Sequence, residues 1–127
     1  MGDLALAGQC TVFEYQYRDA GNWKTTGELL LAGTSDHAEA AIRSSLEWAD
    51  QFVAEQIGVP SLCPKHFETT GEGPSDLDHA YHEFVGLRAA TPTDLSQPGA
   101  GSLSDFVERF RAAASRWDVT LSPNCFL

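Results

Sequence analysis

Residues 10–32, CTVFEYQYRDAGNWKTTGELLLA, decide the fold, because two runs of alternating side chains flank a cluster of turn-forming residues. Alternation with a period of two is typical of a strand that buries one of its sides. In the first run the aromatic side is Phe13, Tyr15 and Tyr17. The turn is residues 19–22 (DAGN), and the second run continues from Trp23 to Ala32. The stretch therefore predicts a β-hairpin with one aromatic face.

Two amphipathic helices are predicted beyond the hairpin. Asp36 and Glu39 have the spacing of a capping box, and apolar residues follow at helical spacing, so one helix is expected from about Asp36 to Trp48. Ser102 and Asp105 repeat that signature ahead of a second apolar stripe. The stripe is Leu103, Phe106, Val107, Phe110 and Ala114. Each helix is predicted to bury one side against the sheet.

The segment between the helices is predicted to hold strands and a long connection. Residues 49–57 fit either a continuation of the first helix to Gly58 or a break near Asp50, and we favour the break, with a short strand through Phe52 and Val53. Residues 58–78 are rich in Gly and Pro and are predicted as a long connection. Residues 79–89 are predicted as a strand. Its two sides would be Tyr81, Val85 and Leu87 on one and Phe84 on the other.

The last predicted elements complete a single domain, residues 1–127. Residues 91–101 fit a flexible linker, and residues 117–121 an edge strand before Pro123. The element order is then ββαββαβ. We predict an α+β fold, with a mixed, mostly antiparallel sheet of four to five strands and two helices on one face.

The charge of the chain is strongly acidic and uneven. The formal net charge is −10, and residues 47–83 hold eight acidic residues against Lys65 alone. Such a field repels phosphate groups, which argues against binding nucleic acid or docking on an anionic membrane. No run of about 18 apolar residues that could span a membrane occurs. The charge fits a basic protein partner, a cation or simply solubility. The expected partner is a protein or a small molecule of unknown identity.

The cysteines and the first residues indicate a cytoplasmic protein. Cys10, Cys63 and Cys125 are an odd number spread along the chain, which favours reduced thiols over a disulfide framework. Residues 1–8 (MGDLALAG) lack the regions of a signal peptide. Cys10 and Cys125 have no neighbouring catalytic signature, so both are expected to act as small buried apolar residues.

Four residues imitate the spacing of a zinc site: Cys63 and His66 are three positions apart, and so are His79 and His82. One Cys with three His is a rare ligand set for a structural zinc. His79 and His82 would also point to opposite sides of a strand. We therefore expect no metal and no other cofactor.

The densest polar segment, residues 76–83 (DLDHAYHE), lies beside several aromatic residues in the predicted sheet. Aromatic residues on an open sheet face can form a ligand platform, although packing beneath helices is commoner. His79 and Glu83 could serve as a general acid and base only if they shared one concave site. The predicted pocket residues are Tyr15, Tyr17, Trp23, His79, Tyr81, His82 and Glu83, and no catalytic residue is assigned.

Three runs of the sequence resemble a family of small uncharacterised bacterial proteins, some of which are encoded on mobile gene cassettes such as those of integrons. The runs are residues 15–24 (YQYRDAGNWK), 55–60 (EQIGVP) and 78–84 (DHAYHEF). The resemblance covers roughly residues 13–90, a normal size for one domain. It implies an origin on a mobile element and brings no activity with it.

These observations favour binding over catalysis. We expect a non-enzymatic accessory or interaction protein of a mobile genetic element, acting through its acidic surface or through a small pocket near the hairpin. One alternative is a small-molecule or metal-dependent enzyme that uses His79, His82 and Glu83. Another is a structural homo-oligomer, a homodimer built on an uncovered sheet face or on the edge strand at Trp117.

Overall fold

The structure, a computed structural model, describes residues 9–19, 21, 23–47, 50–71, 79 and 81–118. It confirms the predicted α+β class, with a five-stranded mixed sheet and three α-helices in the described residues. The strands are β1 (Cys10–Arg18), β2 (Lys24–Ala32), β3 (Gln51–Val53), β4 (Tyr81–Ala89) and β5 (Gly99–Ser102). The helices are α1 (Ala38–Ser44), α2 (Cys63–Thr70) and α3 (Leu103–Ala113). Two short 3-10 helices cover Ala54–Ile57 and Pro92–Ser96.

The predicted hairpin forms the centre of the sheet, whose strand order is β3-β4-β1-β2-β5. β1 and β2 pair antiparallel without a break, from Cys10 opposite Ala32 to Arg18 opposite Lys24. β4 pairs antiparallel with the other side of β1 and with β3, whereas β5 runs parallel to β2. The sheet is therefore mixed and mostly antiparallel, as predicted.

The three helices pack on one face of the sheet, which we call the inner face. The aromatic side of β1 lies at its centre, as the alternation predicts. The Phe13 ring contacts the rings of Tyr15, Phe52, Phe84, Phe106 and Phe110 at centroid distances from 4.8 to 6.0 Å. All six rings are almost fully buried. Edge-to-face and tilted pairs of this kind contribute beyond the area that they bury.

The first helix is shorter than predicted and is not capped as predicted. α1 begins after His37, and no side chain caps it. The Glu39 carboxylate instead accepts a hydrogen bond of 2.9 Å from the Leu87 backbone N–H, and Arg43 donates one of 3.0 Å to the Val85 carbonyl. β3 pairs only with residues 81–83 of β4. The two α1 side chains therefore cover the part of the β4 edge that lacks a neighbouring strand.

The prediction of a long connection over residues 58–78 is wrong in part, because α2 lies within it. Pro64 occupies the first turn of α2, where its missing N–H costs nothing, and Gly71 ends it with a left-handed φ of 69°. The choice left open for residues 49–57 is settled for residues 51–57, which form the strand β3 followed by the 3-10 helix Ala54–Ile57.

The predicted sides of β4 are also wrong, because of a β-bulge. Glu14 pairs with Gly86 but Tyr15 pairs with Phe84, so Val85 is an extra residue in β4. Beyond the bulge the alternation changes phase. Leu87 therefore lies on the inner face together with Phe84, while Val85 is 47% exposed.

Two further predictions are corrected at the C-terminal end. Residues 91–101 are not a flexible linker, since they contain the 3-10 helix Pro92–Ser96 and the start of β5. The predicted cap of the last helix is confirmed, with the Ser102 hydroxyl accepting from the Asp105 N–H at 3.1 Å. Trp117 is not in a strand; its indole N–H donates to the Ser45 carbonyl at 2.8 Å and its ring packs on Phe52 and Phe110.

Several predictions fall outside the described residues. These are the helix end at Trp48, residues 72–78 of the connection with Asp76 and Asp78, residues 119–121 of the edge strand, and Cys125. Among the described residues, no helix is both long enough and apolar enough to cross a membrane.

Candidate functional site

The seven predicted pocket residues do not share one site. Tyr15, Tyr17 and His82 are buried on the inner face. Trp23 is 69% exposed at the end of the hairpin. Glu83 follows His82 in β4 and therefore lies on the opposite face, where its carboxylate is 3.0 Å from Arg18 Nε.

Tyr17 is the centre of the buried group. Its ring is fully buried and lies 4.8 Å from the ring of His66, 5.2 Å from that of His79 and 5.4 Å from that of His82. The Tyr17 hydroxyl accepts a hydrogen bond from the His79 backbone N–H at 3.2 Å. Three imidazoles thus surround one tyrosine beneath α2.

Each of these imidazoles is hydrogen-bonded to other groups of the protein. His79 Nε2 donates to the Arg18 carbonyl at 2.7 Å, and its Nδ1 accepts from the Tyr81 N–H at 3.1 Å. His82 Nε2 accepts from the Leu62 N–H at 2.9 Å. A ring nitrogen that accepts from a backbone N–H has no lone pair left for a metal.

The Cys63, His66, His79 and His82 spacing is therefore not assembled as a ligand set. Within the described residues no three His, Cys, Asp or Glu side chains are grouped so that they could hold a metal ion. The Cys63 sulfur, fully buried, lies 3.9 Å from the His79 carbonyl oxygen. These residues join the start of β4 to α2.

A buried line of hydrogen bonds runs through His66 and was not predicted from the sequence. Thr25 Oγ1 lies 2.8 Å from His66 Nδ1, and Asp19 Oδ2 lies 2.9 Å from His66 Nε2. Burial raises the pKa of Asp19, but the hydrogen bonds from His66 and from the backbone of Trp23 outweigh it. The net effect is a pKa below the ordinary value for that carboxyl.

The Asp19–His66–Thr25 line has the residue types of a nucleophile relay, but it is enclosed. Thr25 is 7% exposed and His66 1%. A substrate could reach the Thr25 hydroxyl only if α2 moved off the sheet, so these hydrogen bonds hold the structure together. We call Asp19, His66 and Thr25 the clasp. It fixes the hairpin end to α2, and Asp19 also accepts the Trp23 N–H at 3.0 Å.

The opposite face of the sheet, which we call the outer face, is built from the alternate residues of β1 and β2. At one end Val12 and Leu30 are covered by Leu95 of the 3-10 helix Pro92–Ser96. The rest of the face carries polar and charged pairs that lie directly opposite each other. Those pairs are Glu14 with Glu28, Gln16 with Thr26 and Arg18 with Lys24.

Two of these cross-strand pairs bring like charges together. We call Glu14 and Glu28 the acidic pair, and Arg18 and Lys24 the basic pair. Like charges directly opposite on neighbouring strands are destabilising. Their side chains remain accessible: Glu14 is 38% exposed, Glu28 44% and Arg18 38%.

The Arg88 guanidinium contacts three carboxylates: both members of the acidic pair and Asp94. Arg88 donates to Asp94 at 2.7 and 3.0 Å, a bidentate pair, and to Glu28 at 3.0 Å, and its Nε is 3.4 Å from Glu14. The hydrogen bond from Arg88 and those from Thr91 hold the pKa of Asp94 well below its usual range. The Asp94 carboxylate is thus neutralised by its bidentate pair with Arg88. Glu14 and Glu28 each have only one contact to the same guanidinium, so their negative charges are incompletely neutralised.

The acidic pair lines a groove of about 410 Å³ on the outer face. Its other lining residues include Gln16, Thr26, Lys65 and the exposed Val85, and Lys65 Nζ donates to the Thr26 carbonyl at 3.3 Å. A second cleft, of about 370 Å³, lies between α1 and α3 and contacts none of the predicted pocket residues. The groove on the outer face is the better candidate, since it joins exposed apolar surface to incompletely neutralised charge.

Comparison with known proteins gives no relative: no family model matches the chain, and no curated protein and no solved structure matches it significantly.

Proposed function

We propose that this chain is a non-enzymatic interaction protein whose outer face binds a basic segment of a protein partner. The acidic pair supports the proposal most directly. Glu14 and Glu28 lie opposite each other in an open groove and share Arg88 with Asp94, so three carboxylates share one guanidinium. Lys65 also lines the groove, but it donates to the Thr26 carbonyl and forms no ion pair with either glutamate. A lysine or arginine side chain from a partner would relieve this repulsion.

The shape and the net charge favour the same kind of partner. Val85 offers an apolar contact in the groove, and Gln16 and Thr26 offer hydrogen bonds. The overall charge of −10 would attract a basic surface from a distance and speed association at low salt. On this proposal the chain acts as an accessory protein of a mobile genetic element, in line with the sequence resemblance, and an inhibitor of a basic protein is one such role.

The enzyme alternative lacks comparable support. It required His79, His82 and Glu83 to converge on one concave site. His82 is buried on the inner face and Glu83 lies on the outer face, while His79 is bonded at both ring nitrogens.

A peptide titration followed by NMR tests the proposal. The probe is a short synthetic peptide rich in lysine and arginine, and the control peptide has glutamine at those positions. We expect chemical-shift changes at Gln16, Thr26 and Val85 with the basic peptide and none with the control peptide. Raising the salt from about 50 to about 500 mM should weaken the binding, because the charges are solvent-exposed.

Matched variants separate the groove from the general charge of the chain. Glu14→Gln with Glu28→Gln should abolish saturable binding, whereas Glu108→Gln with Asp105→Gln on exposed α3 positions removes equal charge and should preserve it. Shift changes confined to residues 47–70, or equal losses in both double variants, would overturn the proposal.

A further inference from the structure

We infer that the basic segment binds as an extended strand added to one edge of β2, so that backbone hydrogen bonds as well as charge hold it. The inference rests on the proposed function and states how the partner is recognised. β5 pairs with β2 only at Leu30 and Ala32. Among the described residues, no strand pairs with the earlier part of β2 on that side. We call Lys24, Thr26 and Glu28 the free edge.

The register of the hairpin directs the backbone groups of the free edge away from β1. The odd-numbered positions of β2 bond to β1, and the same ladder continues to Gly33, whose N–H donates to the Gln9 carbonyl at 2.6 Å. In an antiparallel pair, residues that bond to the neighbouring strand alternate with residues that do not. The even-numbered residues, which include the whole free edge, therefore offer their N–H and C=O groups to a strand on the other side.

The free edge is open to solvent, and one lysine covers part of it. Lys24, Thr26 and Glu28 are all exposed. The Lys65 ammonium reaches over from α2 and donates to the Thr26 carbonyl at 3.3 Å. Lysine is a common protection against unwanted strand pairing. Lys65 is itself exposed, so its ammonium can move into water when a strand arrives. The groove reaches this edge, since Gly27 and Lys65 both line it.

The charges along the free edge specify the order of side chains in the added strand. Residues directly opposite each other in a sheet project their side chains to the same face, here the outer face. A lysine or arginine opposite Glu28 would extend the row of Glu14 and Glu28 across a third strand and bring the missing positive charge. Glu28 is 44% exposed, although Arg88 contacts one of its oxygens. A β-branched residue suits the position opposite Thr26, and an uncharged one suits the position opposite Lys24.

An antiparallel partner strand fits the free edge, because each of the three residues then exchanges two hydrogen bonds with the residue opposite it. The partner segment is therefore expected to start with lysine or arginine opposite Glu28. Its third residue, opposite Thr26, is β-branched, and its fifth, opposite Lys24, is uncharged. The first, third and fifth N–H groups of the segment face β2, and the second and fourth face away from it. Recognition thus depends on alternate residues of an extended chain.

Two N-methylated peptides, compared by NMR titration at low salt, test the inference. The parent peptide is acetylated and amidated, with lysine first, valine third, glutamine fifth and serine between them. Methylation of the third and fifth backbone nitrogens removes N–H groups that face β2, and we expect binding more than about 10-fold weaker, because two hydrogen bonds are lost. Methylation of the second and fourth nitrogens removes as many N–H groups that face away, and binding should stay within about 3-fold of the parent.

Amide hydrogen exchange of the protein gives a second measurement. At nearly saturating parent peptide, exchange at the Thr26 and Glu28 N–H groups should slow by at least about 5-fold, because both become hydrogen-bonded. The Gly27 N–H already bonds to β1 and should exchange as before. Contacts between side chains alone would leave exchange at Thr26 and Glu28 unchanged.

A matched pair of variants tests the role of Lys65. Lys65→Ala uncovers the Thr26 carbonyl and should bind the parent peptide about 3-fold tighter or more. Arg111→Ala removes equal charge from an exposed position on α3 and should leave the affinity unchanged.

The outcomes separate the inference from the proposed function. Equal weakening by both methylation patterns, or unchanged exchange at Thr26 and Glu28 in the bound state, would overturn the added strand. If the parent peptide does not bind but the peptide rich in lysine and arginine still binds through Glu14 and Glu28, the added strand is again wrong and the proposed function stands. Failure of both peptides to bind would remove both.

Discussion

The two faces of the sheet differ in how their polar side chains are paired. On the inner face His66, His79 and His82 are buried, and each is hydrogen-bonded within the protein. On the outer face two pairs of like charges face each other across neighbouring strands and stay exposed. A polar group without a partner destabilises the fold strongly when it is buried but only slightly when water solvates it. Like-charged neighbours can therefore be tolerated on the outer face but not on the inner face.

The difference indicates which face holds the fold together and which face is free to bind. Histidines beside a tyrosine look like a site in the sequence, yet their nitrogens are used to join the hairpin, α2 and β4. The acidic and basic pairs oppose folding locally. A local conflict of this kind is expected where a surface serves another purpose.

The largest expected effect is on the inner face. Phe13→Ala would remove the ring that contacts five other aromatic rings and leave a cavity, and we expect unfolding to become easier by about 3–5 kcal/mol. Denaturant unfolding measures the change. Val85→Ala, on the exposed bulge, should shift stability by less than about 0.5 kcal/mol. Similar losses for both variants would mean that the two faces do not differ.

The next effect tests the buried clasp. His66→Ala would leave the Thr25 hydroxyl and the Asp19 carboxylate without their shared partner, and we expect a loss of about 2–3 kcal/mol. Thr69→Ala on the exposed side of α2 is the matched control. A loss no larger than that of the control would show that the line through His66 does not support the fold.

A smaller effect, dependent on pH, is expected at Asp19. Asp19→Asn keeps the shape of the side chain but removes its charge, at a cost of roughly 1 kcal/mol near neutral pH. Because folding lowers the Asp19 pKa, the charge stabilises the protein above the unfolded-state pKa, about 3.9, and that contribution is lost as pH falls through the folded-state value. The stability difference between wild type and variant should therefore be constant from neutral pH to about pH 5 and shrink at lower pH. A difference that grows on acidification would contradict the assignment.

The smallest expected effect is on the basic pair. Lys24→Glu replaces a like-charge pair with an attractive pair opposite Arg18, so thermal unfolding should show a gain of about 0.2–1 kcal/mol. Lys24→Gln should fall between wild type and Lys24→Glu. A destabilised Lys24→Glu would show that the basic pair does not oppose folding.

Elements with a repeated period were predicted well. The hairpin and the α3 stripe each repeat their spacing over several turns or residue pairs, and the Ser102 cap of α3 is local. α2 was missed because it is eight residues long and buries only Cys63 and His66 among mostly polar residues. The Val85 bulge was missed because one inserted residue changes the register without changing the composition.

The candidate site was predicted only in part. Tyr15, Tyr17 and His82 do lie in one region, but as packed and bonded residues of the inner face. The acidic pair, the basic pair and Arg88 were not singled out. These groups are recognised only from the strand register, which places like charges opposite each other. The alternation of one strand does not fix that register.

The sequence by itself determined the class of fold, the aromatic inner face and the acidic charge, because these follow from spacing and composition along short stretches of chain. Only the tertiary structure decided which polar groups satisfy one another. Thr25 and Asp19 reach His66 across 41 and 47 positions, and Arg88 reaches Glu28 across 60. Hydrogen bonds and ion pairs act over a few ångströms in space, so partners this distant along the chain become neighbours only when the sheet sets its register and the helices pack on it.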